Sequence, residues 1–149
     1  MIVPAVTEAD KGLLLHHLSK AIGEPPARIV GDLPFNAVAC LRGNRISAVV
    51  VFLNYRRESM EFHLAVSPGG LTRGEIRQLF AYPFEQLGVL RLWCLIRRNN
   101  KPARSGAERL GFRVIGVCDD EFGAGRDGIM YSMRRGDCRW LKPRKDHHG

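Results

Sequence analysis

The sequence lacks several of the patterns that assign a protein to a class at once. Its four cysteines include no C-x-x-C pair, which argues against a zinc site or a disulfide framework and predicts reduced thiols. No apolar run approaches the roughly 18 residues of a membrane span, and no basic-then-apolar segment begins the chain. The absence of a Gly-Lys-Ser/Thr sequence excludes a Walker-type phosphate loop. We therefore expect a cytoplasmic protein without a membrane segment or a bound metal.

Acidic residues are also scarce, with 15 Asp and Glu against 23 Lys and Arg and a net charge of +8. Arginine accounts for 18 of the basic residues, and its planar fork suits phosphate. The excess is concentrated in "MRRGDCRWLKPRK" near the end of the chain. This segment is either a solvated tail that aids solubility or a surface for nucleic acid or another polyanion. The arginines of the candidate surface are Arg134, Arg135, Arg139 and Arg144.

The order of predicted elements indicates one mixed α/β domain. Leucines at helical spacing after a T-x-x-D box predict a first helix from about Glu8 to Ile22. Two β-rich runs joined at Gly43-Asn44 predict a hairpin. A third strand, a helix interrupted by Pro83, a fourth strand, a short helix and two closing strands follow. With no repeat and no long linker, we expect one domain over residues 1–141 and a flexible basic tail over residues 142–149.

The run "SMEFHLAVS" alternates in a way that predicts a strand with Glu61 and His63 on one face. Histidine ordinarily titrates near neutrality and suits a general base, whereas a carboxylate would act through water or bind a cationic acceptor. The alternative is that His63 is a satisfied core residue and Glu61 pairs with one of the many arginines.

The segment "SPGGLTRG" joins that strand to the next helix. Gly69, Gly70 and Gly74 would let the backbone approach a ligand closely, and Thr72 can cap the helix. Amides at a helix start bind phosphate well, and Arg73 adds a side-chain charge there. An ordinary strand-to-helix turn is the alternative interpretation.

The segment "NNKPARSGAERLGF", residues 99–112, predicts a short capped helix. Asn100 is a good N-cap, Pro102 fits the first turn, and Gly111 supplies a left-handed end. Because this turn and the glycine loop follow successive strands, we expect both at the sheet edge where ligands bind beyond the strand ends.

From about Arg45 to Met133 the chain resembles the GNAT superfamily of acetyl-CoA-dependent N-acetyltransferases. "FAYPFEQLGVLRLWCLIRRNN" is similar to its long helix and following strand and is closest to the ribosomal-protein N-acetyltransferase branch. "DGIMYSM" is similar to its closing strand, and "CRWL" resembles the ends of members carried by phages and prophages. The residues that match the superfamily's N-x-x-A/S…E-x-L-G-F pattern are Asn100, Ala103, Glu108, Leu110, Gly111 and Phe112.

The resemblance implies an α/β fold whose central, mostly antiparallel sheet contains a splayed pair of parallel strands and is flanked by helices. Acetyl-CoA would lie between the splayed strands. Strand backbone would pair with its pantetheine arm, the glycine loop would hold its pyrophosphate, and the short helix would contact the arm from the other side. The residues so implied for the cofactor are Leu64, Val66, Gly69, Gly70, Thr72, Arg73, Gly74 and Asn100. Arg104, on the first turns of the short helix, is a further candidate for cofactor binding, and the alternative is that it is a surface residue.

Two departures from the family pattern bear on the site. "GGLTRG" does not match the usual Q/R-x-x-G-x-G/A pyrophosphate loop. Ala107 stands where many members have a tyrosine that acts as general acid, so the acid must lie elsewhere, and Tyr131 is the candidate. The catalytic candidates are therefore Glu61, His63 and Tyr131.

The resemblance implies an N-acetyltransferase in which an amine attacks acetyl-CoA directly in a ternary complex. Two alternatives keep the same fold. One is a phage-type protein that modifies DNA bases, which the net charge of +8 would suit. The other is a non-catalytic module that binds nucleic acid through its basic surface. The acceptor is not identified by the sequence, and the oligomeric state is open, a dimer included.

Overall fold

The structure is a computed structural model, and it describes residues 1–141 of the 149. The predicted tail, including Arg144, lies outside the described residues. The strands are β1 (Ile2–Pro4), β2 (Phe35–Arg42), β3 (Arg45–Leu53), β4 (Ser59–Val66), β5 (Arg91–Arg97), β6 (Arg113–Cys118) and β7 (Gly128–Arg134). The helices are α1 (Glu8–Ile22), α2 (Pro26–Ile29), α3 (Arg73–Ala81) and α4 (Lys101–Leu110), with a π-helical turn at Tyr82–Gln86 and a 3₁₀ turn at Arg135–Asp137.

The strands form one sheet in the order β1-β2-β3-β4-β5-β7-β6. Every neighbouring pair is antiparallel except β4 and β5, which are parallel. The mixed α/β fold with a single parallel pair is therefore confirmed for residues 1–141. The short elements β1 and α2 were not predicted.

The parallel pair separates after three residues. Ser59–Glu61 of β4 pairs with Arg91–Trp93 of β5, and no further β4–β5 pair forms. Beyond that point β4 stays paired with β3 as far as Val66, and β5 stays paired with β7 as far as Arg97. The two strands therefore diverge, and we call the space between them the inter-strand gap. The splayed strand pair implied by the resemblance is confirmed.

Helices cover the two faces of the sheet unequally. On one face, α1 and α2 pack on β2, β3 and β4, with Leu14 and Leu18 in that core. On the other face, α3 and α4 pack on β4, β5 and β7, where Phe62 stacks on Phe112 with ring centroids 5.0 Å apart. The strand β3 contributes to both cores, which explains why its sequence is apolar from Ala48 to Leu53.

Capping chemistry explains where the helices begin and end. α1 begins after Thr7, whose hydroxyl accepts from the Asp10 amide at 3.0 Å, and it ends at Gly23 in the left-handed conformation. α3 gives way to a π-helical turn at Tyr82 because Pro83 has no N–H to continue the α-helical ladder. The predicted interruption at Pro83 is thus present as one widened turn.

Among residues 1–141, no helix has the length and apolar character needed to cross a membrane. Cys40, Cys94 and Cys138 are buried, and Cys118 is partly exposed. Burial raises the pKa of the Cys94 thiol to about 12, and the charge of Glu61 adds to that effect. Cys94 is therefore a core residue and not a nucleophile.

Candidate functional site

Register places backbone groups of β4 along one wall of the inter-strand gap. The Ser67 amide donates to the Ser47 carbonyl at 2.8 Å, next to the pair formed by Ala48 and Val66. In an antiparallel ladder this pattern directs alternate residues toward the partner strand, and the residues between them face away. The N–H and C=O groups of Leu64 and Val66 consequently point into the gap.

The opposite wall is formed by β5 in the same way. The Arg98 amide donates to the Asp127 carbonyl at 3.0 Å, beside the pair of Arg97 and Gly128. Alternation along β5 then turns the backbone groups of Leu95 toward the gap. An extended chain lying between the strands would meet hydrogen-bonding groups on both sides, as a peptide does when it adds to a sheet edge.

The loop from β4 to α3 closes one end of the gap. Gly69 and Gly70 have φ of 106° and 64°, a region that favours glycine, and a Cβ on Gly70 would meet nothing within 4 Å. At the start of α3, the Arg73 and Gly74 amides donate to no group within residues 1–141. Two free amides at a helix start, beside an open glycine turn, form a fitting site for a phosphate group.

The remaining amides of that helix start are held by a capping box. Thr72 Oγ1 accepts from the Glu75 amide at 3.1 Å, and Glu75 Oε1 accepts from the Thr72 amide at 3.0 Å. Arg42 donates to both Glu75 oxygens, at 2.8 and 2.5 Å, and the Met1 amino group lies 2.8 Å from Oε2. The Arg42 guanidinium and this amino group hold the pKa of the buried Glu75 carboxyl well below its usual range. Arg42 therefore offsets a negative charge next to the two free amides of Arg73 and Gly74.

Glu61 and His63, predicted on one face of β4, are in direct contact. His63 Nε2 lies 2.6 Å from Glu61 Oε2, and both side chains are largely buried. Because an ionised carboxylate can only accept a hydrogen bond, Nε2 carries the proton in a neutral ring, and Nδ1 keeps a free lone pair. Glu61 pairs with Trp93, the last position before β4 and β5 separate, so His63 stands at the entrance to the inter-strand gap.

Asn54 completes this arrangement and was missed in the sequence. Its Nδ2 donates to Glu61 Oε1 at 3.1 Å, which leaves both carboxylate oxygens with a partner. Asn54 follows β3 and has φ of 57°, a left-handed conformation that asparagine tolerates better than most residues. An asparagine directly after a strand was the only readable signal, because its contact with Glu61 depends on the β3–β4 register.

Tyr131 and Arg104 contact each other, and they lie away from Glu61 and His63. Tyr131 lies on the opposite face of the sheet under α4 and is fully buried. Its hydroxyl accepts from Arg104 Nε at 3.0 Å, and Arg104 also donates to the Arg98 carbonyl at 3.0 Å. The two side chains therefore fix α4 to β7.

Asn100 caps α4, as predicted. Its Oδ1 accepts from the Ala103 amide at 3.3 Å, and its Nδ2 group donates to no described residue. Because Asn100 follows β5 and the glycine loop follows β4, both lie at the carboxyl ends of the parallel pair. The free amide of Asn100 can face a ligand in the gap without breaking the cap.

Arg73 and the C-terminal arginines meet at a different place. Arg73 lies over the Trp140 ring at 5.4 Å, and Arg139 over the same ring at 4.5 Å. The Trp140 indole donates to the Leu110 carbonyl at 2.9 Å, so this cluster packs the end of the described chain against α4. Arg134 and Arg135 are exposed.

Comparison with known proteins identifies the fold. No family model matches the chain, and no curated protein matches it. A solved structure from Desulfovibrio desulfuricans, described as an acetyltransferase of the GNAT family, matches with a TM-score of 0.66 at 20% identity, over 91% of this chain and 98% of its own. Mutant forms of the spermidine/spermine N-acetyltransferase SpeG from Vibrio cholerae match with a TM-score of 0.66 at 18% identity, over 91% of this chain and 96% of theirs. This chain therefore has the fold of the GNAT acetyltransferases.

Proposed function

We propose that this protein is an acetyl-CoA-dependent N-acetyltransferase that acts on an amine acceptor. The observation that carries the proposal is the inter-strand gap, whose entrance holds the contact between Glu61 and His63. An extended ligand in this gap would find hydrogen-bond partners in the backbone groups of Leu64, Val66 and Leu95. The GNAT fold of the solved structures supports the same assignment.

The residues present fit acetyl-CoA. Backbone of Leu64 and Val66 would pair with the pantetheine arm, and Asn100 Nδ2 would reach it from the other side. The free amides of Arg73 and Gly74 would hold the pyrophosphate, within the loop that also contains Gly69, Gly70 and Thr72. Arg73 stacks on Trp140 and Arg104 binds Tyr131, so neither side chain is assigned to the cofactor in this proposal.

Proton removal falls to the His63–Glu61 pair. When bound, acetyl-CoA supplies the acetyl group as a thioester that the acceptor amine attacks directly. His63 Nδ1 takes the proton of that amine, and Glu61 stabilises the resulting imidazolium through the 2.6 Å contact to Nε2. Asn54 holds Glu61 in orientation. Tyr131 is buried under α4 and its hydroxyl is bound by Arg104, so this proposal does not assign it as the acid that would protonate the leaving thiolate.

A mass-spectrometric acyl-transfer screen tests this proposal. The protein is incubated with acetyl-CoA and, in separate arms, with peptides, small amines, nucleosides and duplex DNA. We expect one acetyl group to be added to an amine in an enzyme-dependent manner, and the addition to be lost in His63→Ala. Acetylation of an α-amino group in the peptide arm would also support the resemblance to the ribosomal-protein branch. Transfer to none of the arms would contradict the proposal.

The net charge of +8 favours one alternative enough to test it. Exposed arginines at 134, 135 and 139 would suit the phosphates of a duplex, as in a phage-type protein that modifies DNA bases. A mass change on nucleosides together with salt-dependent duplex binding would support that reading. Duplex binding without acetyl-CoA binding would instead indicate a non-catalytic module.

A further inference from the structure

Next to His63, one part of the sheet surface belongs to neither of the two hydrophobic cores. Trp93 and Leu95 of β5 and Met130 of β7 lie on the same face as Glu61 and His63, as the strand register requires. All three are partly exposed, and none belongs to the core under α1 and α2 or to the core under α3 and α4. We call this surface the acceptor face. The Trp93 indole N–H has no hydrogen bond within residues 1–141.

We propose that the acceptor lies along β5 on the acceptor face and carries a carboxylate or phosphate group at a distance from its reacting amine. This inference rests on the proposed acetyltransferase function and adds the chemical class of the substrate. Apolar side chains at the centre of the face would bind the middle of the acceptor. The argument for its anionic end comes from the arginines at one end of the same face.

Three arginines on three adjacent strands occupy that end. Arg91 of β5 pairs directly with Arg134 of β7, and Arg113 of β6 pairs with Ser132, which lies two residues before Arg134 on the same face of β7. Within residues 1–141, the guanidinium groups of Arg91 and Arg134 make no hydrogen bond and no ion pair. Arg113 has only an exposed contact with Asp137 at 3.9 Å. Like charges placed opposite each other on neighbouring strands are destabilising, and an anion between them would relieve the repulsion.

The spacing along β5 sets the length of the acceptor. His63 lies two residues beyond Glu61, the residue that pairs with Trp93, and Arg91 lies two residues before Trp93. The reacting amine and the anionic group are therefore about four residues of strand apart, or about 13 Å. An extended peptide with its amino terminus at His63 would place the side chains of its fourth and fifth residues near Arg91 and Arg134.

The same arginine charges should weaken the binding of one class of acceptor, the polyamines. A polyamine such as spermidine would carry its distal ammonium groups toward the unpaired arginines, where repulsion raises the free energy of binding. Discrimination between acceptors would then be electrostatic, because the apolar side chains at the centre of the acceptor face would contact all of them alike.

Two five-residue peptides with the same amino-terminal Ala-Ala-Ala test the proposal, one ending in Glu-Glu and the other in Lys-Lys. Binding to the full chain is measured by calorimetry without acetyl-CoA, and kcat/KM with acetyl-CoA is then measured for both peptides and for spermidine. We expect the acidic peptide to bind about tenfold more tightly than the basic one, because two exposed charge pairs together contribute a factor of that order. Spermidine should be the poorest acceptor.

Variants locate the effect on the acceptor face. The double variant Arg91→Gln/Arg134→Gln should remove the preference for the acidic peptide, leave acetyl-CoA binding unchanged and keep or raise the melting temperature, because the repulsion between the two strands is removed. Arg109→Gln, an exposed arginine on α4 at the opposite side of the sheet, is the matched control and should keep the preference. Peptide binding measured without the cofactor stays informative even if acetyl transfer fails. The proposal would be overturned by equal binding of the two peptides, by binding of neither, or by an unchanged preference in the double variant. It would also be overturned if the double variant lost self-association, which would assign the face to a second copy, or lost duplex binding, which would assign it to DNA.

Discussion

At the scale of single residues, the account rests on three side chains that meet where two strands separate. The alternation of β4 placed Glu61 and His63 on one face, and the structure brings them within 2.6 Å. Asn54 could not be predicted with them, because it belongs to another strand end and reaches Glu61 only through the β3–β4 register. The sequence thus predicted the two residues that share β4 and missed Asn54, which follows a different strand.

We predict that His63→Ala lowers kcat at least about a hundredfold, the usual contribution of a general base. Asn54→Gly should lower kcat about tenfold, because it removes one hydrogen bond to a charged group and leaves the left-handed backbone at this position unstrained. Steady-state kinetics with acetyl-CoA titration checks both variants. Unchanged kcat in His63→Ala would remove this residue from the site.

A second residue-scale prediction concerns Glu75. Its pKa in the folded protein is lowered, chiefly by Arg42, well below the usual range of a glutamate. Its contribution to stability is therefore complete above that usual range and is lost progressively as the pH falls toward the lowered pKa. Glu75→Gln should lower the melting temperature clearly at pH 7 and by a smaller amount at pH 3. Glu108→Gln, an exposed carboxylate on α4, is the matched control. A melting-temperature difference that is the same at both pH values would contradict the role given to the ion pair.

At the scale of elements, capping signals located the helices that matter for the site. The bounds of α1 are those predicted from Thr7 and the leucine spacing, and α4 is capped by Asn100 and Gly111 as predicted. The elements that were missed are β1, with three residues, and α2, with four, which are too short to show a period. The cap at Thr72 was predicted, but the reciprocal bond of Glu75 in the capping box was not, and the bond of Arg42 to Glu75 spans 33 residues and could not be read from the sequence.

The element-scale prediction separates the two roles of Asn100. Asn100→Asp keeps an oxygen acceptor for the Ala103 amide and removes the free Nδ2 donor. We expect it to weaken acetyl-CoA binding about tenfold with little loss of stability, since one hydrogen bond to the ligand is removed. Ser105→Ala, at an exposed position of the same helix, should have no effect in a calorimetric titration. Equal effects of the two changes would show that Asn100 does not face the ligand.

At the scale of the whole molecule, the order of elements and the resemblance together predicted the mixed sheet and its one parallel pair. The positive charge was predicted as a total and as an excess near the end of the chain. Its distribution depends on which strands become neighbours, and the arginines at 91, 113 and 134 are far apart in sequence but adjacent across β5, β7 and β6. The C-terminal segment that first suggested a basic surface lies partly beyond the described residues. The arginines of the acceptor face offer a second interpretation of the net charge of +8, namely binding of an anionic acceptor.

Thermal unfolding in the presence of acetyl-CoA tests the central claim most directly, because it asks whether the inter-strand gap binds the cofactor at all. A ligand that binds only the folded protein stabilises it by about 2.7 kcal/mol at a concentration of 100 times Kd. For a chain of this length the melting temperature should then rise by about 5 to 10 °C. The account predicts that rise with acetyl-CoA and a smaller one in Asn100→Asp. No shift at millimolar acetyl-CoA would contradict it.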